Sequence, residues 1–197
     1  MAALYGANAS GKSQFVKAYA CFRDLVLNSF RKSYKIATRA EESRSVSTER
    51  SFLRENYHPY RFCKNPRDTE FDVVFEMPEA TYSYGFIYNA AEIVAEWLYV
   101  TSSTTKRQST IIERSTDIGI RLGASVRREC TKYVPNISNN VLALSFFNSL
   151  ALKTSVFNDA ADAIYSVLPI TGLMGGAEVN SFLRLYFGSL YSDDMKD

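Results

Sequence analysis

Gly6-Ala7-Asn8-Ala9-Ser10-Gly11-Lys12-Ser13 fills the spacing G-x-x-x-x-G-K-[ST], and its reading decides how the rest of the chain is understood. In that pattern successive main-chain N–H groups of a tight loop turn inward on the α- and β-phosphate oxygens of a nucleotide, where bulky side chains would obstruct them. Gly6 and Gly11 free the backbone where φ has to be positive, and Ala7, Ala9 and Ser10 keep the intervening side chains small. Lys12 is expected to reach the β- and γ-phosphates as a point charge on a flexible stem. The Ser13 hydroxyl is the metal ligand of the set, completing the shell of a Mg2+ ion that bridges the same oxygens. Gln14 closes the run of expected nucleotide contacts. At ordinary residue frequencies the pattern arises by accident in about one chain of this length in a hundred.

Context strengthens the reading, because a phosphate loop joins a strand to a helix. Met1 to Tyr5 is a short apolar run, as expected for a strand covered on both faces of a parallel sheet. From Phe15 onward Ala18, Tyr19, Phe22, Val26 and Phe30 recur at three- and four-residue steps, with Lys17, Arg23, Asp24 and Asn28 on other faces. The helix so predicted aims its unpaired N–H groups and positive dipole end at the phosphate.

Asn8 between two small residues, with Ser10 before Gly11-Lys12-Ser13, resembles the G-x-N-x-S-G-K-S loop of the ABC-type ATPases that include the SMC, RecF and OLD-like proteins. Leu4 to Ser13, followed by Phe15 and Lys17-Ala18, is most similar to AAA-type ATPases related to OLD nucleases and to phage-defence and abortive-infection proteins. Gln14 departs from the Asn common there, and the resemblance loosens through the middle of the chain and fades after about Leu152. It implies an α/β fold, a P-loop NTPase core with an antiparallel β-meander and a helical C-terminal part. ATP and Mg2+ are the implied cofactors, and a homodimer or a full-length ATPase the implied partner. Relatives place a strand or two before the loop strand, and Met1 lies five residues before Gly6. The resemblance therefore predicts an N-terminal fragment with an incomplete core.

The composition fits a globular chain. Its 197 residues are 46% hydrophobic with a net charge of +2, enough for a core and not a charge balance that by itself selects nucleic acid. Cys21, Cys63 and Cys130 are odd in number and widely spaced, against a disulfide framework or a zinc site and for reduced, buried thiols. No apolar run spans a bilayer and no signal peptide precedes the loop, so a cytoplasmic location is expected.

Beyond the helix, Arg31 to Glu55 intersperses basic residues with Glu41, Glu42, Glu49 and Glu55 and reads as a solvated excursion, an exposed helix and loop laced with opposite charges; a nucleic-acid contact is the competing reading. His58, the one histidine, has no second histidine to form a metal site or triad. From Phe71 to Leu122 the period changes to two: Phe71, Val73 and Phe75, then Tyr82, Tyr84, Phe86 and Tyr88, then segments at 93–101, 110–114 and 118–122, an antiparallel meander of about five strands. The aromatic alternation reads as one wall of a core, with a base-stacking platform as the alternative. Glu96-Trp97-Leu98 and Ile112-Glu113-Arg114 resemble recurring strands of the family without an assigned role. Helical spacing returns at Val141–Ala151, at Phe157–Leu168 before Pro169, and after Gly175-Gly176. The expected organisation is an ATP-binding head over 1–135 and a helical segment over 136–197 that begins a helical arm.

Hydrolysis needs more than a phosphate cradle: an acid at the end of an apolar strand to fix Mg2+, and a group to position water. Val73-Val74-Phe75-Glu76 lies in the meander, and Tyr191-Ser192-Asp193-Asp194 has too little apolar strand before its acids. Leu173 to Glu178 has the glycine pair of an ABC signature but Met174 where a hydroxyl belongs. No catalytic residue is assigned. The sequence thus reads as an ATP-binding head whose hydrolysis needs a Walker B and a signature region absent from the chain; the alternative is a non-catalytic interaction module derived from a P-loop scaffold.

Overall fold

The computed structural model describes residues 7, 10–42 (side chains to 35), 51–59, 62 and 64–167. The chain divides into two compact units, one of Met1–Ala20 with Leu168–Asp197 and one of Cys21–Val167. In the first, the described residues are Ala7 and the Ser10–Ala20 stretch that opens helix α1 (Lys12–Glu42). Position 135 lies in a 3-10 turn, Thr131–Asn136, inside the second unit. The Met1–Tyr5 strand and the helix after Gly175-Gly176 lie outside the described residues.

The second unit is organised on a five-stranded sheet of β1 (Thr69–Glu76), β2 (Ala80–Tyr88), β3 (Ile93–Ser102), β4 (Gln108–Ser115) and β5 (Gly119–Leu122), side by side in chain order. Every pairing is antiparallel. This is the meander that the period-two alternation predicts; a parallel core sheet is not found among the described residues. Phe71, Val73 and Phe75 pair with Phe86, Tyr84 and Tyr82, so one face of the sheet is apolar and the other polar. Pro78 and Glu79 form the first turn, where Met77 and Ala80 exchange N–H···O bonds of 2.9 and 3.3 Å. At the next turn the Asn89 side-chain oxygen accepts from the N–H groups of Ala91 and Glu92 at 2.9 and 3.0 Å.

Within this unit α1 lies on the apolar face. Phe22 stacks on Phe86 at 5.8 Å between ring centroids and meets Phe71 at 5.5 Å, while Leu25 and Val26 are as fully buried as Phe22. Tyr84, Phe86 and Tyr88 are at most 1% exposed, so the aromatic stripe is core and a base-stacking platform is excluded. Burial of each such ring stabilises by about 1.5–3 kcal/mol.

Two expectations need correction. The excursion at 31–55 is not wholly solvated: α1 runs on to Glu42, and α2 (Phe52–Asn56) buries Phe52 and Leu53. Tyr34 and Ile36 are the only large apolar residues between Phe30 and Glu42, but Lys35, Ala37, Arg39, Ala40, Glu41 and Glu42 are strong helix formers and sustain the helix without a continuous apolar stripe. The helices after the sheet are also shorter than their periodicity suggests. They are α3 (Ala124–Cys130), which spacing did not reveal because only Val126 and Cys130 face inward, α4 (Ala143–Asn148) and α5 (Val156–Ser166). Phe147 of α4 stacks on Phe157 of α5 at 4.8 Å. Among the described residues no helix is long and apolar enough to cross a membrane.

Gly85 sits between Asp72 and Trp97 across neighbouring strands. A Cβ there would run into the Trp97 ring and come to 2.6 Å from the Phe71 carbonyl oxygen. The strand carbonyl is fixed by its place in the sheet and cannot move aside. Gly85→Ala is therefore expected to cost about 1–3 kcal/mol, read as a lower urea midpoint with a changed emission from Trp97, the sole tryptophan.

Candidate functional site

The loop at the start of α1 is described at Ala7 and Ser10 to Gln14; Gly6, Asn8 and Ala9 lie outside the described residues. Gly11 has φ +88°, in the left-handed region, and a Cβ there would touch nothing within 4 Å. Glycine is thus needed for the backbone angle and not for space. The Ser10 N–H donates to the Ala7 carbonyl at 3.3 Å, closing the bend, and the Gln14 and Phe15 N–H groups donate to the Gly11 carbonyl at 2.9 and 3.1 Å, starting the helix.

Lys12 curls back over this bend. Its ammonium donates to the Ala7 carbonyl at 2.6 Å and to Ser10 Oγ at 3.2 Å. A cation is therefore held against the loop by the loop's own acceptors, at the end of a helix whose dipole is positive. The first turn of α1 contains no acid to repel an anion. Ser10, Gly11, Ser13 and Gln14 are exposed, so the Ser13 hydroxyl is open to a ligand. These residues fit a phosphate group: Lys12 would be its counter-ion, and the Ser13 hydroxyl would supply an oxygen ligand to Mg2+. Phe15, by contrast, is 62% exposed and does not belong to the buried stripe that begins at Phe22.

The other expected or rejected groups separate cleanly. His58 is exposed, and among the described residues no cluster of three His, Cys, Asp or Glu forms a metal site. Glu76 ends β1, an edge strand of the antiparallel sheet, and points to solvent. Cys21 is half-buried and Cys130 buried, both as free thiols, and burial pushes each thiol pKa up. The acids at 193–194, the glycine pair at 175–176 and Cys63 lie outside the described residues.

A second constellation sits in the core of the other unit. Glu96 on β3 and Arg114 on β4 are direct cross-strand partners on the apolar face. The Glu96 carboxylate accepts from the N–H groups of Ala143 and Leu144 at 2.7 and 2.9 Å, capping α4, and from the Tyr84 hydroxyl at 3.1 Å. Arg114 Nη1 lies 3.8 Å from Glu96 Oε2. That guanidinium donates to the carbonyls of Val141 at 2.7 Å and Asn139 at 3.0 Å.

Burial pushes the Glu96 pKa above its ordinary value, against the pull of Arg114 and the two N–H groups. Burial likewise lowers that of Arg114, against the pull of Glu96. At 1% exposure Glu96 meets no substrate, and its work is to fasten the 138–144 segment to the sheet. The signal in the sequence is a charge of each sign in step with Leu98 and Ile112, on the side of the strand that alternation assigns to the core.

In comparisons with known proteins, residues 1–129 match the family described as AAA domain, putative AbiEii toxin, Type IV TA system. No curated protein and no solved structure matches the chain.

Proposed function

The chain belongs to the AAA-domain family just described, and from that premise we propose that it binds ATP with Mg2+ as a nucleotide-binding head of the OLD, RecF and SMC-like class. The observation that carries the reading is the Lys12 ammonium folded onto the Ala7 carbonyl at a left-handed Gly11, with the Ser13 hydroxyl exposed one residue on. Three ammonium donors are poised where phosphate oxygens offer better acceptors than a carbonyl, because charge-assisted bonds are about twice as strong as neutral ones.

On this reading the loop amides hold the α- and β-phosphates, Lys12 reaches the β- and γ-phosphates, Ser13 meets the metal ion, and Gln14 flanks it. Hydrolysis calls on a Walker B acid and a signature segment outside these 197 residues, in a further C-terminal part or in another chain. A role in phage defence belongs to the same proposal.

Titration of the whole chain with a fluorescent ATP analogue tests it. Saturable binding that ATP displaces and Mg2+ tightens is expected, and Ser13→Ala is expected to remove most of the Mg2+ effect while leaving metal-free binding in place. A chain that neither binds the analogue nor gains thermal stability from millimolar ATP with Mg2+ is not a nucleotide head.

A further inference from the structure

Helices α1, α4 and α5 enclose a cleft of about 510 Å3, within the range of small-molecule sites. Arg23, Asn28 and Arg31 line it from α1, Ser145 and Asn148 from α4, and Tyr165 from α5. Arg23 Nη2 donates to the Tyr165 carbonyl at 3.2 Å, and its guanidinium carbon lies 4.6 Å from the centre of the Tyr165 ring. That fixes the plane of the group. Its Nε is closed to solvent and makes no hydrogen bond among the described residues, so the terminal nitrogens are the ones that an incoming acceptor can reach.

Arg31 lies two turns further along the same helix, exposed, with Nη2 donating to Asn28 Oδ1 at 2.7 Å. A guanidinium carries five donors, and the bond to Asn28 uses one of them. Eight residues of helix separate the two arginines, roughly 12 Å along the axis. The lining sets one acid, Asp162, against the two cations.

We propose that this cleft binds a small molecule with two separated anionic groups, phosphate or carboxylate, one at Arg23 and one at Arg31. The side-chain amide of Asn148 supplies a neutral hydrogen bond between the two cations, Asn28 is held by Asp24 and Arg31, and the Tyr165 ring offers an apolar flank. No residue of the phosphate loop lines the cleft, so the proposal stands apart from the nucleotide reading.

Calorimetric titration of the full chain carrying Lys12→Ala, which removes the loop's phosphate affinity, separates the two. The probes are a hexose bisphosphate for the phosphate class and adipate for the carboxylate class. At least one is expected to saturate, to bind about tenfold or more weakly after Arg31→Ala, and to bind more tightly after Asp162→Asn. Arg31 is exposed, so its truncation is expected to leave the melting temperature without probe unchanged. The probe that responds names the class. If neither saturates by about 10 mM, or if Arg31→Ala leaves binding unaltered, the cleft is not such a site, whatever the loop does with ATP.

Discussion

Glu96→Ala is expected to lower stability by about 3–5 kcal/mol, measured as the urea unfolding free energy of the whole chain. The loss has two sources. Removing the carboxylate leaves Arg114, 8% exposed, without its counter-charge, and it strips the acceptor from the Ala143 and Leu144 N–H groups and from the Tyr84 hydroxyl. Each orphaned buried donor costs about 1–3 kcal/mol. Against a typical total of about 5–15 kcal/mol, that brings the fold close to its limit. Glu96→Gln keeps the shape and one carbonyl acceptor but turns an amide donor toward other donors, so an intermediate loss is expected. A fall of less than about 1 kcal/mol for Glu96→Ala would mean that the carboxylate does not fasten the segment.

Lys12→Ala is expected to weaken binding of the ATP analogue by about a hundredfold or more. Two charge-assisted bonds to phosphate oxygens, at about 1.5–3 kcal/mol each, correspond to roughly 3–6 kcal/mol, and each 1.4 kcal/mol is a factor of ten. The same substitution is expected to leave stability without nucleotide within about 1 kcal/mol, since the bonds to Ala7 and Ser10 that it removes lie at an exposed bend. The two measurements together separate a binding role from a folding role. Equal affinity in parent and variant would remove the nucleotide site.

The meander was legible because Phe71, Val73 and Phe75, then Tyr82, Tyr84, Phe86 and Tyr88, fall at every second position, a period of two that Val74 and Ile87 on the other face do not mask. The phosphate loop was legible because its spacing is dictated by the ligand and not by the fold. The charged stretch after Phe30 was legible as an exposed helix and loop, but its continuity with α1 and its end at Glu42 were hidden, because Tyr34 and Ile36 among Lys, Arg, Ala and Glu leave no continuous stripe. The role of Glu96 and Arg114 was hidden for another reason. Their partners lie on a segment at 138–144 that only tertiary folding brings to the sheet. Arg23 and Arg31 read in the sequence as the polar side of an amphipathic helix, and their common cleft depends on α4 and α5 arriving opposite them.

Because the strands of the sheet neighbour one another in the order in which they are made, most of the sheet's contacts close short loops. Low contact order of this kind favours rapid assembly. The bonds from Glu96 to Ala143 and Leu144 span 47 and 48 residues and are expected to form after the barrier has been crossed. Weakening them should then quicken unfolding while scarcely slowing refolding, so the segment at 138–144 sets how long the folded molecule survives and the hairpins set how fast it appears.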